Sequence, residues 1–151
     1  IIVNVKSEGK VFSSTLIPSK KSESVQQVST MVEEVQIGKA FTLKDIYYET
    51  NSAEIDKEST LILNEFSEYL NENPTMKISI QGHTDDIGSD SKNMILSSER
   101  AFNVKAYLQD KGVNGKRILF KGFGESKPIV ENTSDKNRAL NRRTEFVILE
   151  K

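Results

Sequence analysis

Asp85 and Arg100 are the residues best suited to chemistry, both within "QGHTDDIGSDSKNMILSSERA", residues 81–101. Asp85 follows "ISIQGHT", whose alternating apolar and polar residues are those of a strand, so its carboxylate belongs at the strand's C-terminal mouth. The loop "DDIGSD" then turns into a helix, whose first amides and dipole favour an anionic group. On a helical wheel, Ala101, Val104, Tyr107 and Leu108 fall in one arc and define a core-facing stripe. Followed back towards the N-terminus, that arc contains Asn93, Ser97 and Arg100. A guanidinium there is costly unless it is paired or opens onto a solvent-filled pocket. A carboxylate, a guanidinium and a run of amide donors around one cavity suit a zwitterion, with Asp85 taking an ammonium and Arg100 a carboxylate. The same spacing serves equally well for a structural Asp85–Arg100 salt bridge that pins the loop, with Asn93 and Ser97 at a solvent-exposed helix start. Phe102 and Ile95 fall on the opposite face, and the sequence offers nothing to cover them.

Two other chemistries use overlapping residues. His83, Asp85, Asp86 and Asp90 are candidate metal ligands for a metal-dependent hydrolase. Against this, the chain has one His and no Cys. Its carboxylates lack EF-hand spacing, and no Cys–His pair is available for nucleophilic catalysis. Alternation with Ile78 and Ile80 makes His83 as much a hydrogen-bonded rim residue as a ligand. Arg138, Arg142 and Arg143 cluster near the C-terminus and would suit an interaction module for nucleic acid or an acidic protein. A formal net charge of -1 argues against a general nucleic-acid or anionic-membrane footprint. No cofactor is implied.

These residues need elements to position them. With 151 residues, 36% hydrophobic and 28% charged, the chain suits one soluble core with a small appendage. No apolar run approaches the ~18 residues of a membrane span. Residues 1–38 differ from the rest. "IIVNVK" and "VFSSTLI" alternate like strands, "PSKKSESVQQ" reads as a linker, and "STMVEEVQIG" as a third strand ended by Gly38. The segment is too poor in large apolar residues for its own core, and a start in mid-strand suggests the tail of a preceding β-rich domain. Within 39–151, "AFTLKDIYYE" is a strand, and a helix capped by Ser59 runs to Pro74 with Ile62, Leu63, Phe66, Tyr69 and Leu70 as its stripe. "MKISIQGH" is a strand, residues 90–112 a long helix closed by Gly112, and "RILFKGFG" a strand. "TSDKNRALNRR" is a short helix capped by Thr133 or Ser134, and "TEFVILE" the closing strand. The order predicts an α+β domain, a mixed sheet with helices packed on one face, carrying an N-terminal β-rich extension.

The motifs "GHTD..G", "N..LS..RA..V..YL...G", "G.GE..P" and "NRR.E", in that order, resemble the OmpA-like domain of OmpA-type outer-membrane proteins, peptidoglycan-associated lipoproteins and flagellar stator subunits. The resemblance covers residues 40–149 and implies a βαβαβ-type mixed sheet. It implies non-covalent binding of peptidoglycan with no catalytic activity, the ligand being the diaminopimelate end of a stem peptide. Carried over residue by residue, Asp85 takes the ammonium, and Arg100 takes the carboxylate with backbone amides of Asp86, Ile87 and Gly88. Asn93 and Leu96 line the pocket, and Asn51 and Arg142 make further contacts, while Arg143 is a candidate structural residue. The pattern departs at Tyr48 and Glu49, where many members have Phe and Asp, which leaves the contacts on that side open. The resemblance further implies a periplasmic domain at the outer membrane of a Gram-negative bacterium, part of a larger outer-membrane protein or complex.

Overall fold

In a computed structural model of the chain, the structure describes residues 36–43, 46, 48 and 52–151. The strands expected before Gln36, and the residues Glu49 and Asn51, lie outside the described residues. The compact unit Ile37–Lys151 contains the elements described below.

The elements run β1 (Ala40–Thr42), α1 (Lys57–Glu72), β2 (Lys77–Gly82), α2 (Asp90–Asp110), β3 (Ile118–Gly122), α3 (Asp135–Asn141) and β4 (Thr144–Glu150), with a 3-10 turn, Gly115–Arg117, leading into β3. The alternation of strand and helix expected from the sequence is therefore present. The sheet order is β1-β4-β2-β3. β4 runs antiparallel between β1 and β2, while β2 and β3 are parallel. The parallel pair requires a crossover, which α2 supplies.

Helices α1 and α2 share one face of the sheet. Ile80 pairs with Phe120 on one side and Phe146 on the other, so the three side chains point the same way. Phe66 of α1 packs on Phe146 at 4.7 Å between ring centroids, and Phe102 of α2 meets Phe120 edge-on at 5.3 Å. Leu63, Phe66, Leu70, Ile78, Ile80, Val104, Leu108, Ile118 and Ile148 form the centre of the core, each essentially without solvent contact. Truncating a Leu or Phe among them to Ala would cost about 3–5 kcal/mol.

Several local expectations change. Helix α1 starts earlier than read: Asp56 is its cap and accepts the Ser59 amide at 2.7 Å, so Ser59 is the capped residue and is itself buried. Tyr69 is only half-buried, as is Tyr107, whose hydroxyl reaches Asn64 Oδ1 at 2.9 Å. Arg117, read as the start of a strand, precedes it. Its guanidinium donates to the carbonyls of Leu70, Asn73 and Met76, closing the C-terminal end of α1. Of the two caps offered for α3, Ser134 is used and accepts from the Asn137 amide. Gly112 has positive φ, as its place just past the end of α2 requires, and Gly38 has it in the turn before β1.

Candidate ligand-binding site

The polar half of the α2 stripe has a structural cause. Gly82 and Gly122, at the ends of the parallel strands, let the helix come down on bare backbone. A Cβ on Gly82 would stand 2.1 Å from the Ser97 carbonyl oxygen, and one on Gly122 would stand 2.5 Å from Ser97 Oγ. Large apolar side chains cannot fit at such an approach, so small Ser97 occupies the stripe. Its hydroxyl donates to the Met94 carbonyl at 3.0 Å and accepts the Gly124 amide at 2.8 Å. Ser97 is thus fully buried, not part of a solvent-exposed helix start. Sequence reasoning recorded its polarity but not the two glycines that require it.

Past Gly82 the chain stays clamped. His83 donates its amide to the Arg143 carbonyl and Thr84 to the Gly124 carbonyl, at 3.0 and 2.9 Å. Asp85 therefore emerges just beyond the C-terminal end of β2, buried at 7% exposure. Its Oδ1 accepts the Ile87 amide at 3.0 Å, and its Oδ2 accepts Arg142 Nη1 at 2.6 Å. The ion pair of Asp85 is thus with Arg142, across the sheet end, and not the Asp85–Arg100 bridge that spacing suggested. Asn93, also buried, donates to the Asp85 carbonyl at 3.3 Å and to Glu125 Oε2 at 2.6 Å. Of the loop amides named from the resemblance, that of Ile87 is satisfied by Asp85. Those of Asp86 and Gly88 have no intramolecular acceptor among the described residues. Gly88 holds φ +108, a left-handed conformation in which a side chain would be strained. Leu96 lies half-buried on α2, while Asp86, Ile87 and Gly88 are exposed.

Arg100 is 4% exposed. Its Nε donates to the Ser52 carbonyl at 2.9 Å, and its guanidinium lies over the Tyr48 ring at 4.6 Å from the centroid. The Tyr48 hydroxyl in turn meets Thr144 Oγ1 at 3.2 Å. Burial weakens Arg100's hold on its proton, with nearby Arg142 acting the same way, while Tyr48 and Asp85 oppose it. Burial also pushes the Tyr48 phenol up. One turn on, Asn103 donates to the Ala53 carbonyl at 2.8 Å. Arg100 and Asn103 together hold the 52–53 segment against α2. Asn103 carried no signal in the sequence, because its partner is a backbone carbonyl remote in the chain.

The remaining candidates make contacts within the protein. His83 is buried at 1% exposure, stacks on Phe123 at 5.3 Å, and places Nε2 3.3 Å from Glu145 Oε2 without aligned hydrogen-bond geometry. The His83 imidazole and, after it, the Arg143 guanidinium hold the Glu145 carboxyl down at about 2, against opposing burial. Arg143 also donates to the Asn141 and Lys127 carbonyls, consistent with a scaffolding role. His83 therefore faces Glu145 while Asp85 faces Arg142. Among the described residues no three His, Cys, Asp or Glu side chains come close enough to hold a metal ion. The proposed arginine cluster disperses likewise: Arg138 pairs with Asp135, Arg142 with Asp85 and Arg143 with Glu145. Of the two α2 residues outside the core stripe, Phe102 rests on Phe120 of β3, but Ile95 remains 59% exposed. No helix among the described residues is long and apolar enough to cross a membrane.

Comparison with known proteins places this geometry. Residues 47–142 match the OmpA family. The chain is 33% identical over 102 residues to the peptidoglycan-associated lipoprotein of Buchnera aphidicola, covering 68% of this chain and 59% of that protein. It is 31% identical over 102 residues to outer membrane porin F of Pseudomonas aeruginosa, covering 67% of this chain and 29% of the porin. The crystal structure of the peptidoglycan-associated lipoprotein from Burkholderia pseudomallei superposes with a TM-score of 0.65 at 28% identity, covering 68% of this chain and 87% of that one. The chain thus spans less than two thirds of the length of the curated relatives it matches. The matched stretch contains the β2 mouth, all of α2 and the first arginine after α3, and the chain belongs to the OmpA family.

Proposed function

We propose that residues 39–151 form a binding domain that holds peptidoglycan non-covalently through the diaminopimelate end of a stem peptide. The observation that carries this is the presence of two buried groups of opposite charge at the β2 mouth. Buried Asp85 and buried Arg100 lie within electrostatic reach of each other, beside the amides of Asp86 and Gly88, which have no intramolecular acceptor among the described residues. A buried carboxylate beside a buried guanidinium suits a ligand end that carries an ammonium and a carboxylate. Asp85 takes the ammonium. Arg100, held flat by Tyr48 and Ser52, takes the carboxylate with the loop amides. Asn93 fixes the loop from behind, Leu96 lines the site, and Arg142 reaches the peptide.

Two of the matched proteins are named for their association with peptidoglycan and one as an outer-membrane porin. Those names support a domain working in the periplasm at the outer membrane of a Gram-negative bacterium, within a larger outer-membrane protein or complex that it anchors to the wall. No bond is made or broken. A small polar ligand at a partly screened mouth gives modest affinity per site, and many copies on one polymer supply the strength.

Co-sedimentation with purified insoluble peptidoglycan tests this. The wild-type domain should pellet with diaminopimelate-type wall, and Asp85→Asn should remain in the supernatant. A folded wild type that stays soluble would refute the reading. Release of soluble muropeptides would point to a hydrolase instead.

A further inference from the structure

The apolar residues of α2 outside its core stripe lie along an open edge of the sheet. β3 is the outermost strand beside β2, and Leu119, Phe120 and Lys121 are exposed along its middle. The Phe123 amide donates to the Gly82 carbonyl at 2.9 Å, so alternation along the parallel ladder turns Lys121 and Leu119 towards β2 as well. The N–H and C=O of Phe120, the carbonyl of Ile118 and the amide of Gly122 therefore face outward. Above this edge, Ile95, Ser98, Phe102 and Lys105 form one stripe of α2. Ser98 lies over Gly122, and Phe102 meets the Phe120 ring at 5.3 Å. Ile95, Phe102, Leu119 and Phe120 are each between 41% and 59% exposed, an apolar shelf beside unpaired strand backbone.

The same edge is basic on both faces. Lys105 lies over the Phe120 ring on the helix side, 5.5 Å from its centroid. On the opposite side, Lys121 and Lys127 lie over the Phe123 ring at 5.0 and 4.0 Å. Among the described residues no carboxylate forms an ion pair with these three ammonium groups. Residues 116–127 set Lys116, Arg117, Lys121 and Lys127 against Glu125 alone, and Asn93 engages Glu125 at 2.6 Å. The whole chain is balanced, with 21 basic and 22 acidic residues, so the charge is concentrated at this edge. We propose that the β3 edge docks an acidic, extended segment of a partner protein, which joins the sheet as a further strand. Strand addition pairs the outward groups of Phe120, and alternate side chains of the incoming segment reach the apolar shelf and the lysines. A second copy of this chain is a poor occupant, because two basic edges repel each other. An anionic lipid surface would neutralise the lysines but offers no donors in register for the outward carbonyls. The proposal uses none of the residues at the β2 mouth and stands apart from the wall-binding site.

The test titrates the full chain, by NMR and calorimetry, with a blocked peptide of four Glu-Val repeats. A second peptide of the same charge has one central valine replaced by proline, which breaks strand pairing. Wild type should bind the Glu-Val peptide with the Phe120 and Gly122 amides shifting most, and the proline peptide about tenfold more weakly. A variant carrying Lys121→Glu and Lys127→Glu, both exposed and shown to be folded by circular dichroism, should lose about tenfold in affinity for the Glu-Val peptide. No binding of the Glu-Val peptide by folded wild type would overturn the proposal. Equal binding of the two peptides would also overturn it, by reducing the edge to a polyanion surface. Binding of phosphatidylglycerol vesicles in place of the peptide would make the edge a lipid-facing surface. A wild-type dimer in sedimentation equilibrium that Phe120→Asp dissolves would make it a contact between copies, and either result overturns the proposal.

Discussion

Replacing Gly82 with Ala probes the contact on which the site's geometry depends. The added Cβ would lie 2.1 Å from the Ser97 carbonyl oxygen, 3.0 Å from its carbon and 3.3 Å from its Cα. All three are helix backbone, which cannot rotate away as a flexible side chain would. Relief requires lifting the first half of α2 from the end of β2 by about 1 Å, and overpacking of this kind costs about 1–3 kcal/mol. The bad contact is with backbone, so the upper part of that range applies, about 2–3 kcal/mol. For a domain of this size, urea unfolding would show a midpoint shift at unchanged slope, and the melting temperature would fall by roughly 10 °C. Binding should suffer as well. β2 delivers Asp85 and α2 delivers Arg100, so a shift between them moves the two charges apart, and the folded fraction should bind stem peptide about tenfold more weakly. Gly122→Ala should act similarly, since its Cβ would meet Ser98 N at 2.5 Å. A Gly82→Ala variant within about 0.5 kcal/mol of wild type, with unchanged affinity, would refute the close-approach account of the polar stripe.

Other perturbations follow the same logic. Glu145 has its pKa depressed from 4.5 to about 2, so it contributes stability that is complete above pH 4.5 and is lost as pH falls from there to about 2. Discounted for solvent screening, the contribution is about 1–2 kcal/mol, and Glu145→Gln should be less stable by that amount at pH 7 and no less stable near pH 2 in denaturant titrations. Asp56→Ala removes the α1 cap on the Ser59 amide and should cost about 1 kcal/mol in the same assay, with Asp56→Ser nearly neutral. Tyr48→Leu removes the aromatic face beneath Arg100 and should weaken peptide binding by about 0.5–2 kcal/mol, whereas Tyr48→Phe should keep most of the affinity, losing only the Thr144 contact. Equal affinities for the Leu and Phe variants would mean that the ring does not orient Arg100.

What the sequence made legible was local. β4 is the alternating "TEFVILE" over its full length, and α2 begins and ends where its loop and Gly112 place it, because periodicity and end signals act over a few residues. The α1 start was misplaced because Asp56 and Ser59 are both capping residues three apart, and only geometry tells donor from acceptor. Long-range pairings were not legible. Asp85 and Arg142 are far apart in the chain, and their meeting depends on β4 inserting between β1 and β2, which no local pattern encodes. The same holds for Arg117 on the end of α1 and for Asn103 on the Ala53 carbonyl. The polarity of Ser97 is visible in the sequence, whereas the glycines beneath it lie in other elements.

The central claim is that Asp85 and Arg100 form a zwitterion seat, and the most direct measurement is a calorimetric titration with diaminopimelate stem peptide. Wild type should bind with one site per domain, and Asp85→Asn and Arg100→Met, each shown to be folded, should lose at least about tenfold in affinity. Binding unchanged in either folded variant would contradict the account.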